Sequence, residues 1–396
     1  MCAAVWFWWI VVGALLAFTL IYMAQAVYIR RIVGALTAMP EPRDAPAGRV
    51  SVIVAARDEA RRLAAAADSL LAQDHPGLEF IFVDDRSTDG TGALMDARAA
   101  ADARVRVVHV QELPDGWLGK NHALWLGAQH AKGEWLLFID GDVCLAPGAV
   151  RRAVAHATER GLDHLTVGPA LLARGFWLQA WVAFTVMIIL TFLSPRRMNG
   201  TSGRGGFGIG AFNLVRRSAY QAIGTHRAIA LRPDDDVRLG MRLRRAGCRQ
   251  WAAAEPDLVF VEWYGSLREA LCGLDKNAFA VLDYRPAAMA AAVLACLVMF
   301  IGPLCGALLL RGGIAWAFRA VFLLQWGTVH FYARTFVRVG RRPRALAVSL
   351  AYPLGALLYA YAMARSGWLA LTRGGITWRG TRYDLGRLRG HTGLEL

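Results

Sequence analysis

Hydrophobic and polar positions along the chain fall into two regimes. Met1 to Ile29, Phe176 to Ser194 and Ala287 to Leu310 each run without a charge, and uncharged runs of about 20 residues are long enough to cross a bilayer core. Between the first two, the apolar runs are short and punctuated. Val50 to Ala55, Phe80 to Val83, Val105 to Val110 and Trp135 to Ile139 read as strands, and Glu59 to Gln73 and Asn121 to Ala131 as helices. Strands and helices alternating at these spacings predict βαβ units and a largely parallel sheet. The fold class expected is α/β, a Rossmann-like mixed sheet with transmembrane helices at its N- and C-terminal ends.

In open α/β sheets ligands bind beyond the carboxyl ends of the strands, so the polar residues at those ends are the candidates for chemistry. The run Trp135 to Ile139 ends in Asp140 and Asp142, which as i and i+2 of an extended segment share a face and converge on one ligand. A divalent cation bridging two phosphates suits them, since Mg²⁺ and Mn²⁺ take carboxylate and phosphate oxygens. The second strand delivers Asp84 and Asp85 to the same edge, expected to repel one another unless they meet a cation or polar donors. Ser87 and Asp89 read as caps of the following helix. Arg57, Asp58 and Glu59 leave the first strand at that edge. GWLGKN, Gly116 to Asn121, sets Lys120 and Asn121 near a helix N-terminus, where Lys120 is either a surface lysine or a phosphate or ribose contact.

Farther on, Gly203 to Gly208 matches GxGxxG without a preceding strand, so the dinucleotide reading fails on context and a flexible loop beside an acceptor pocket is expected. LRPDDDVRLGMRLRRAGC, Leu231 to Cys248, starts a helix with three carboxylates where a cap needs one. At least one of Asp234, Asp235 and Asp236 is therefore expected to do chemistry.

Composition narrows the class. With 56% hydrophobic and 19% charged residues the chain is too apolar for an ordinary soluble protein. Lys and Arg exceed Asp and Glu by 45 to 30, but Arg30, Arg31, Arg338, Arg341, Arg342 and Arg344 stand beside apolar blocks, which suggests lipid-facing charge rather than nucleic-acid binding. The positive-inside rule puts Arg30 and Arg31, and with them the α/β region, in the cytoplasm, as part of a multi-pass inner-membrane protein. Six cysteines show no CxxC or metal-type spacing. The domain plan expected is an anchor over 1–31, a proline-rich linker over 32–48, the α/β domain over 49–284 with an interfacial segment at 176–194, a transmembrane region over 285–372 and a basic tail over 373–396. Leu267 to Tyr284 is expected as one amphipathic helix. Within the last region Gly313 to Tyr332 and Ala345 to Leu371 are further spans, the latter broken by Pro353 and Gly355 into a re-entrant hairpin.

Taken in order, VSVIVAARDEA, VDDRSTDGT, GWLGKNHAL, GEWLLFIDGDV, GIGAFNLVRRSAY and DDVRLGMRLRRAG resemble the family-2 glycosyltransferases of GT-A fold, over roughly Arg49 to Tyr284. The GWLGK segment, the DDxxLG form and SLREALCGLDKNAF are most similar to bacterial membrane enzymes that glycosylate carotenoids, hopanoids or related lipids. The resemblance implies metal-dependent, inverting transfer from a nucleotide-diphosphate sugar to a lipid hydroxyl, with polyprenyl-phosphate, glycerolipid or sphingolipid acceptors as alternatives and a non-catalytic nucleotide-binding scaffold as the reading of another class. It implies that Ala56, Arg57 and Glu59 line the nucleotide, that Asp85, with Asp84 beside it, meets the base, and that Asp140 approaches the ribose. Asp142 would hold Mg²⁺ or Mn²⁺ and Asp236 would be the general base, ionised by the helix N-terminus, with Asp234 dispensable. Asp235, Lys276 and Asn277 fall on the acceptor and diphosphate side. The QxxRW motif of processive members is missing, which argues for a single transfer.

Overall fold

The computed structural model describes residues 2–39, 48–200, 205–275, 277–338, 345–378 and 381–390. The chain forms two compact units, one of Arg31–Ala170 and Leu193–Glu262, the other of Met1–Arg30, Leu171–Phe192 and Trp263–Leu396.

The first unit is built on the expected alternation. After a long N-terminal helix α1 (Cys2–Ile32) come β1 (Val50–Ala56), α2 (Ala60–Leu71), β2 (Leu78–Asp85), α3 (Thr91–Ala101), β3 (Val105–Val110), α4 (Gly119–His130) and β4 (Trp135–Asp140). The seven-stranded sheet runs β3-β2-β1-β4, then Asn213–Arg216, His164–Gly168 and Gln250–Ala254. Its first four strands are parallel, and Asn213–Arg216 runs antiparallel to both its neighbours. The central strands are apolar almost throughout because helices cover both faces. On one face Ile53, Ile81, Val83 and Phe138 pack against Ala123 and Leu124 of α4 and against Leu239 and Leu243 of the helix Asp235–Arg245.

Register decides which polar groups share a face. Ala55 pairs with both Val83 and Asp140, so Val83, Asp85 and Asp140 point to the α4 side and Asp84 to the other. Adjacent carboxylates at a strand end alternate across the pleat, so Asp84 and Asp85 need no cation to keep them apart. This corrects the expectation of mutual repulsion.

The loops at the sheet edge are laced together. Ser87 Oγ accepts the Asp58 N–H at 3.1 Å, Thr91 Oγ1 the Glu59 N–H at 2.9 Å and Asp89 Oδ2 the Ala60 N–H at 3.1 Å, while Asp58 Oδ1 accepts the Thr88 N–H at 2.7 Å. Asp89 also bonds Thr91 N at 3.0 Å, as a cap would. Ser87, expected as a cap of its own helix, instead holds the start of α2, and the N-cap of α3 is Gly90 at φ 90°. Asp58, at φ 52°, is held in the left-handed region by these bonds.

At the far edge, the chain leaving α1 is fixed to the sheet. Gly34 N donates to Ala254 O at 2.9 Å, and the fully buried Glu255 accepts Leu36 N at 2.5 Å and Thr37 Oγ1 at 2.6 Å. The linker prolines lie among residues 40–47, outside the described residues.

The second unit is helical and apolar. Phe176–Leu193, Pro286–Phe300, Gly302–Leu309, Gly312–Phe336 and Tyr352–Thr372 accompany the body of α1. Buried Gln325 donates to Thr19 Oγ1 at 3.3 Å and to Met299 O at 2.9 Å, and accepts from Tyr352 Oη at 3.1 Å, the kind of satisfied polar contact that joins helices in an apolar setting. Among the described residues three helices are long and apolar enough to cross a membrane: Trp6–Ile32, Phe176–Met198 and Pro286–Leu309. The second contains the segment expected to be interfacial, and its contacts place it with the helical unit. Leu267–Tyr284 is not one amphipathic helix but two short ones, Leu267–Gly273 and Ala278–Val281. The block after Ala345 is interrupted at Ala351, ahead of Pro353. Gly355 lies inside the following helix, where a Cβ would stand 3.1 Å from Ala180 O.

Candidate active site

Asp140, Lys120, Asp235 and Asp236 converge beyond the end of β4. Lys120 follows Gly119 in the first turn of α4, and its Nζ lies 2.9 Å from Asp140 Oδ1 and 3.2 Å from Asp235 Oδ2. Those carboxylates hold its pKa well above the ordinary lysine value in spite of burial. Lys120 is therefore neither a solvated surface lysine nor disengaged: it joins the end of a strand to the start of the helix Asp235–Arg245.

A single residue makes the second link. Gly210 O accepts the Asp140 N–H at 3.0 Å, and Gly210 N donates to Asp236 Oδ2 at 2.8 Å. A Cβ on Gly210 would stand 2.5 Å from Asp140 Oδ2, so only glycine lets the backbone pass this close. The other glycines of this stretch that fall among the described residues are packed rather than loose. A Cβ on Gly206 would meet Arg244 Cβ at 2.6 Å and one on Gly208 would meet Asp236 O at 2.6 Å, while Gly208 N donates to that oxygen at 3.0 Å. Gly240, the last residue of DDVRLG, leaves room for Phe207. The flexible loop expected at Gly203–Gly208 is thus, from Gly205 onward, fastened to the helix that carries Asp236.

Asp236 corrects a second expectation. Its Oδ1 also accepts from Val237 N at 2.8 Å, and the helix N-terminus favours its charge. Burial and the neighbouring Asp235 outweigh these, and its pKa is raised above the ordinary carboxylate range rather than lowered.

Asp142 stands with Asp140 and Glu59. Burial, then the two neighbouring carboxylates, lift its pKa to about 7, against the opposing pull of Arg62 at 3.7 Å. Asp142, Asp140 and Glu59, with Arg62 beside the first and Lys120 beside the second, are hard oxygen donors whose mutual repulsion a divalent ion would relieve. The residues present thus fit Mg²⁺ or Mn²⁺. Among the described residues no group of three or more His, Cys, Asp or Glu is placed to hold a metal ion by itself, so a metal here would need water and phosphate oxygens beside the protein's.

The other residues expected here divide. Asp85 sits beneath the N-terminus of α4, where a Cβ on Gly119 would meet its Oδ2 at 2.3 Å, and it binds Arg86 Nε at 2.8 Å. Asp84 faces away, to His109 Nδ1 at 3.1 Å and Ser87 N at 3.1 Å, so its role is to fix a turn and not to line the crevice. Ala56 and Arg57 end β1 at the site, with a Cβ on Gly141 3.1 Å from Ala56 Cβ and 3.0 Å from Glu59 Oε2. Fully buried Asn121 is a clamp: its Nδ2 donates to Ile229 O at 2.8 Å and Arg232 O at 2.9 Å, fixing the approach to the acidic helix. Asp234 is held by buried Arg232 at 2.9 Å and by Arg238 at 2.9 Å, so it is structural rather than dispensable. Asn277 precedes Ala278–Val281 in the helical unit, and Lys276 lies outside the described residues. Reading by motif gave no role to Gly210 or to His226, whose buried ring lines the same small cavity as Lys120, Asp140, Asp235 and Asp236. For Gly210 the signal was present, a glycine two residues past another in GIGAFN; for His226 there was none.

Comparison with known proteins agrees with this architecture. Residues 51–224 match the model of glycosyl transferase family 2. The chain is 30% identical over 114 residues to glycosyltransferase GlyG of Streptococcus pneumoniae, covering 29% of this chain and 36% of that protein. It is 29% identical over 185 residues to 4,4'-diaponeurosporenoate glycosyltransferase of Staphylococcus aureus, covering 45% and 47%. The chain thus spans less than half the length of these curated relatives. Among solved structures, mannosyltransferase PcManGT from Pyrobaculum calidifontis in complex with GDP-Man and Mn²⁺ aligns over 97% of both chains at 19% identity, with a TM-score of 0.48. Residues 51–224, which hold the parallel strands and the carboxylates at their ends, thus match a glycosyl transferase family 2 domain.

Proposed function

We propose that the protein is a membrane-bound glycosyltransferase that moves one sugar from a nucleotide-diphosphate donor to a lipid hydroxyl, of isoprenoid type, with inversion. The observation that carries this reading is Gly210, whose carbonyl accepts the backbone N–H of Asp140 and whose N–H donates to the carboxylate of Asp236. It keeps a donor-side acid and a candidate base at a fixed spacing across one small cleft. Ala56, Arg57, Glu59 and Asp85 line the nucleotide side and Asp140 meets the ribose. Asp142 would hold Mg²⁺ or Mn²⁺, which when bound neutralises charge on the departing diphosphate.

The chain's own groups account for the remaining steps. Asp236, once deprotonated, takes the proton of the acceptor hydroxyl as its oxygen bonds to the anomeric carbon and the bond from that carbon to the diphosphate oxygen breaks. Nucleoside diphosphate leaves on the opposite face, so the configuration inverts. Lys120, held charged by Asp140 and Asp235, steadies both sides of the cleft and offsets part of the carboxylate charge that would otherwise keep Asp236 protonated. Three helices apolar enough to span a bilayer support an acceptor that stays in the membrane. The basic pair Arg30 and Arg31 supports a cytoplasmic catalytic domain, where nucleotide sugars are available.

The test is the full chain in nanodiscs, given UDP- and GDP-sugars with Mg²⁺ or Mn²⁺ and extracted membrane lipids. Release of nucleoside diphosphate together with a lipid heavier by one sugar is the expected result. Donor binding without turnover in every combination would favour a non-catalytic nucleotide-binding scaffold, and long polymer would contradict single transfer.

A further inference from the structure

His226 opens the short 3-10 helix His226–Ile229, and Tyr220 lies on the preceding helix Arg217–Ala222. Tyr220 Oη accepts the backbone N–H of His226 at 3.1 Å and stands 2.8 Å from its Nδ1. A phenol has one proton, and the Thr225 side chain is a second partner for it; when the phenol gives that proton to Nδ1, Nδ1 is the acceptor and the proton of the neutral ring resides on Nε2. Burial, with Lys120 nearby, holds the imidazole neutral by lowering its pKa to about 3. The ring cannot turn away easily: His226 is 1% exposed and meets Phe138 in a T-shaped contact, centroids 4.8 Å apart at 74°.

With Nδ1 engaged by Tyr220, the Nε2 side is what His226 offers to the cavity it lines with Lys120, Asp140, Gly210, Asp235 and Asp236. The space there admits a single water-sized group. The complement of that wall is a group that both accepts and donates. A phosphate oxygen would meet three carboxylates, and an alkyl group would give the imidazole's cavity-side nitrogen nothing to bond. A hydroxyl satisfies both signs at once, accepting from Nε2–H and donating to a carboxylate.

We propose that this cavity receives one hydroxyl of the transferred sugar, with His226 Nε2–H donating to it and Asp235 accepting its proton, so that Tyr220 and His226 set sugar selectivity. The proposal rests on the glycosyltransferase reading above and deepens it. Its position is that of a substrate-contacting histidine fixed in one tautomer by a positioning tyrosine.

The experiment uses the full chain with UDP-glucose, UDP-galactose and GDP-mannose, then the 2-, 3-, 4- and 6-deoxy analogues of whichever is turned over. The wild type is expected to lose about 10- to 100-fold in kcat/KM on one of the four analogues, the scale of one hydrogen bond to a site that keeps its partners buried. His226→Leu should lose a similar factor on the parent sugar and little more on that analogue, so discrimination collapses. His226→Gln, which retains an N–H, should restore part of it. Tyr220→Phe keeps the ring and frees the tautomer, and should lower discrimination against the same analogue, with the melting temperature lowered by the lost acceptor of the His226 N–H but the protein folded. Equal losses on all four analogues in a folded His226→Leu protein, or undiminished discrimination in Tyr220→Phe, would overturn the assignment. Tyr220→Phe decides the matter alone if His226→Leu does not fold. A wild type that neither binds nor turns over any of these donors is a different result, which removes the glycosyltransferase reading itself.

Discussion

Replacing Asp236 by Asn removes a base while leaving most of its surroundings in place. The carboxylate accepts two backbone N–H groups, from Gly210 and Val237, each at 2.8 Å. The amide keeps one acceptor oxygen and turns an NH₂ toward the other donor, a loss of about 1 kcal/mol. Against that, the substitution removes a charge that burial and Asp235 disfavour. A group whose folded pKa is raised stabilises the fold below its unfolded pKa, and that contribution is lost as pH rises through the folded value. At neutral pH Asn escapes this loss, so the two effects oppose and the melting temperature should move little.

Activity should move much more. Loss of a general base lowers kcat by about 10² to 10⁴, or roughly 3 to 5.5 kcal/mol in the barrier. In the wild type kcat should climb with pH through the raised carboxylate value and then level, because only the deprotonated form takes the acceptor proton; the residual activity of Asp236→Asn should lack that limb. Single-turnover release of nucleoside diphosphate gives the rate, and equilibrium titration gives donor affinity. A kcat within threefold of wild type, or weakened donor binding with kcat intact, would refute the assignment and leave Asp236 as part of a helix start only.

Asp142→Asn should abolish metal stimulation of donor turnover with the fold intact, and an unchanged response to limiting Mg²⁺ or Mn²⁺ would refute the metal role. Asp234→Asn should lower stability by about 3 kcal/mol, as buried Arg232 loses its charge partner, with kcat of the folded fraction close to wild type; thermal melts and kinetics on the same preparation separate the two. Gly210→Ala forces a Cβ toward Asp140 Oδ2, 2.5 Å away, and overpacking of this kind costs about 1 to 3 kcal/mol. Donor affinity and kcat should fall together, and a fall in only one would show that Gly210 does not couple the two acids.

Much of this was legible from pattern. The period of the apolar residues located the four parallel strands, and the carboxylates at their ends located the cleft. Side-chain alternation, by contrast, was applied to Asp140 and Asp142 but not to Asp84 and Asp85, which is why Asp84 was counted in a crevice that it faces away from. The helix N-terminus at Asp236 argued for a lowered pKa; burial and Asp235 are tertiary effects, and they prevailed. The sequence left Asn121 without a role and Asp234 dispensable, because their partners, the carbonyls of Ile229 and Arg232 and the guanidinium of Arg232, become neighbours only after folding. His226 carried no local signal at all. Its partner Tyr220 is close in sequence, but Phe138 and Lys120 come from distant segments.

Glu255 bears on where this catalytic domain begins. Its buried carboxylate takes the Leu36 N–H and the Thr37 hydroxyl, so residues ahead of β1 complete the hydrogen bonding of a strand end more than two hundred residues away in the chain. A soluble version cut just before Val50 would strip both donors from that acid and strand it in an apolar edge. Such a fragment should express poorly for reasons unrelated to catalysis, whereas one that starts near Arg31 keeps the edge closed. The functional boundary thus lies upstream of the first strand, within what the primary structure presents as a linker.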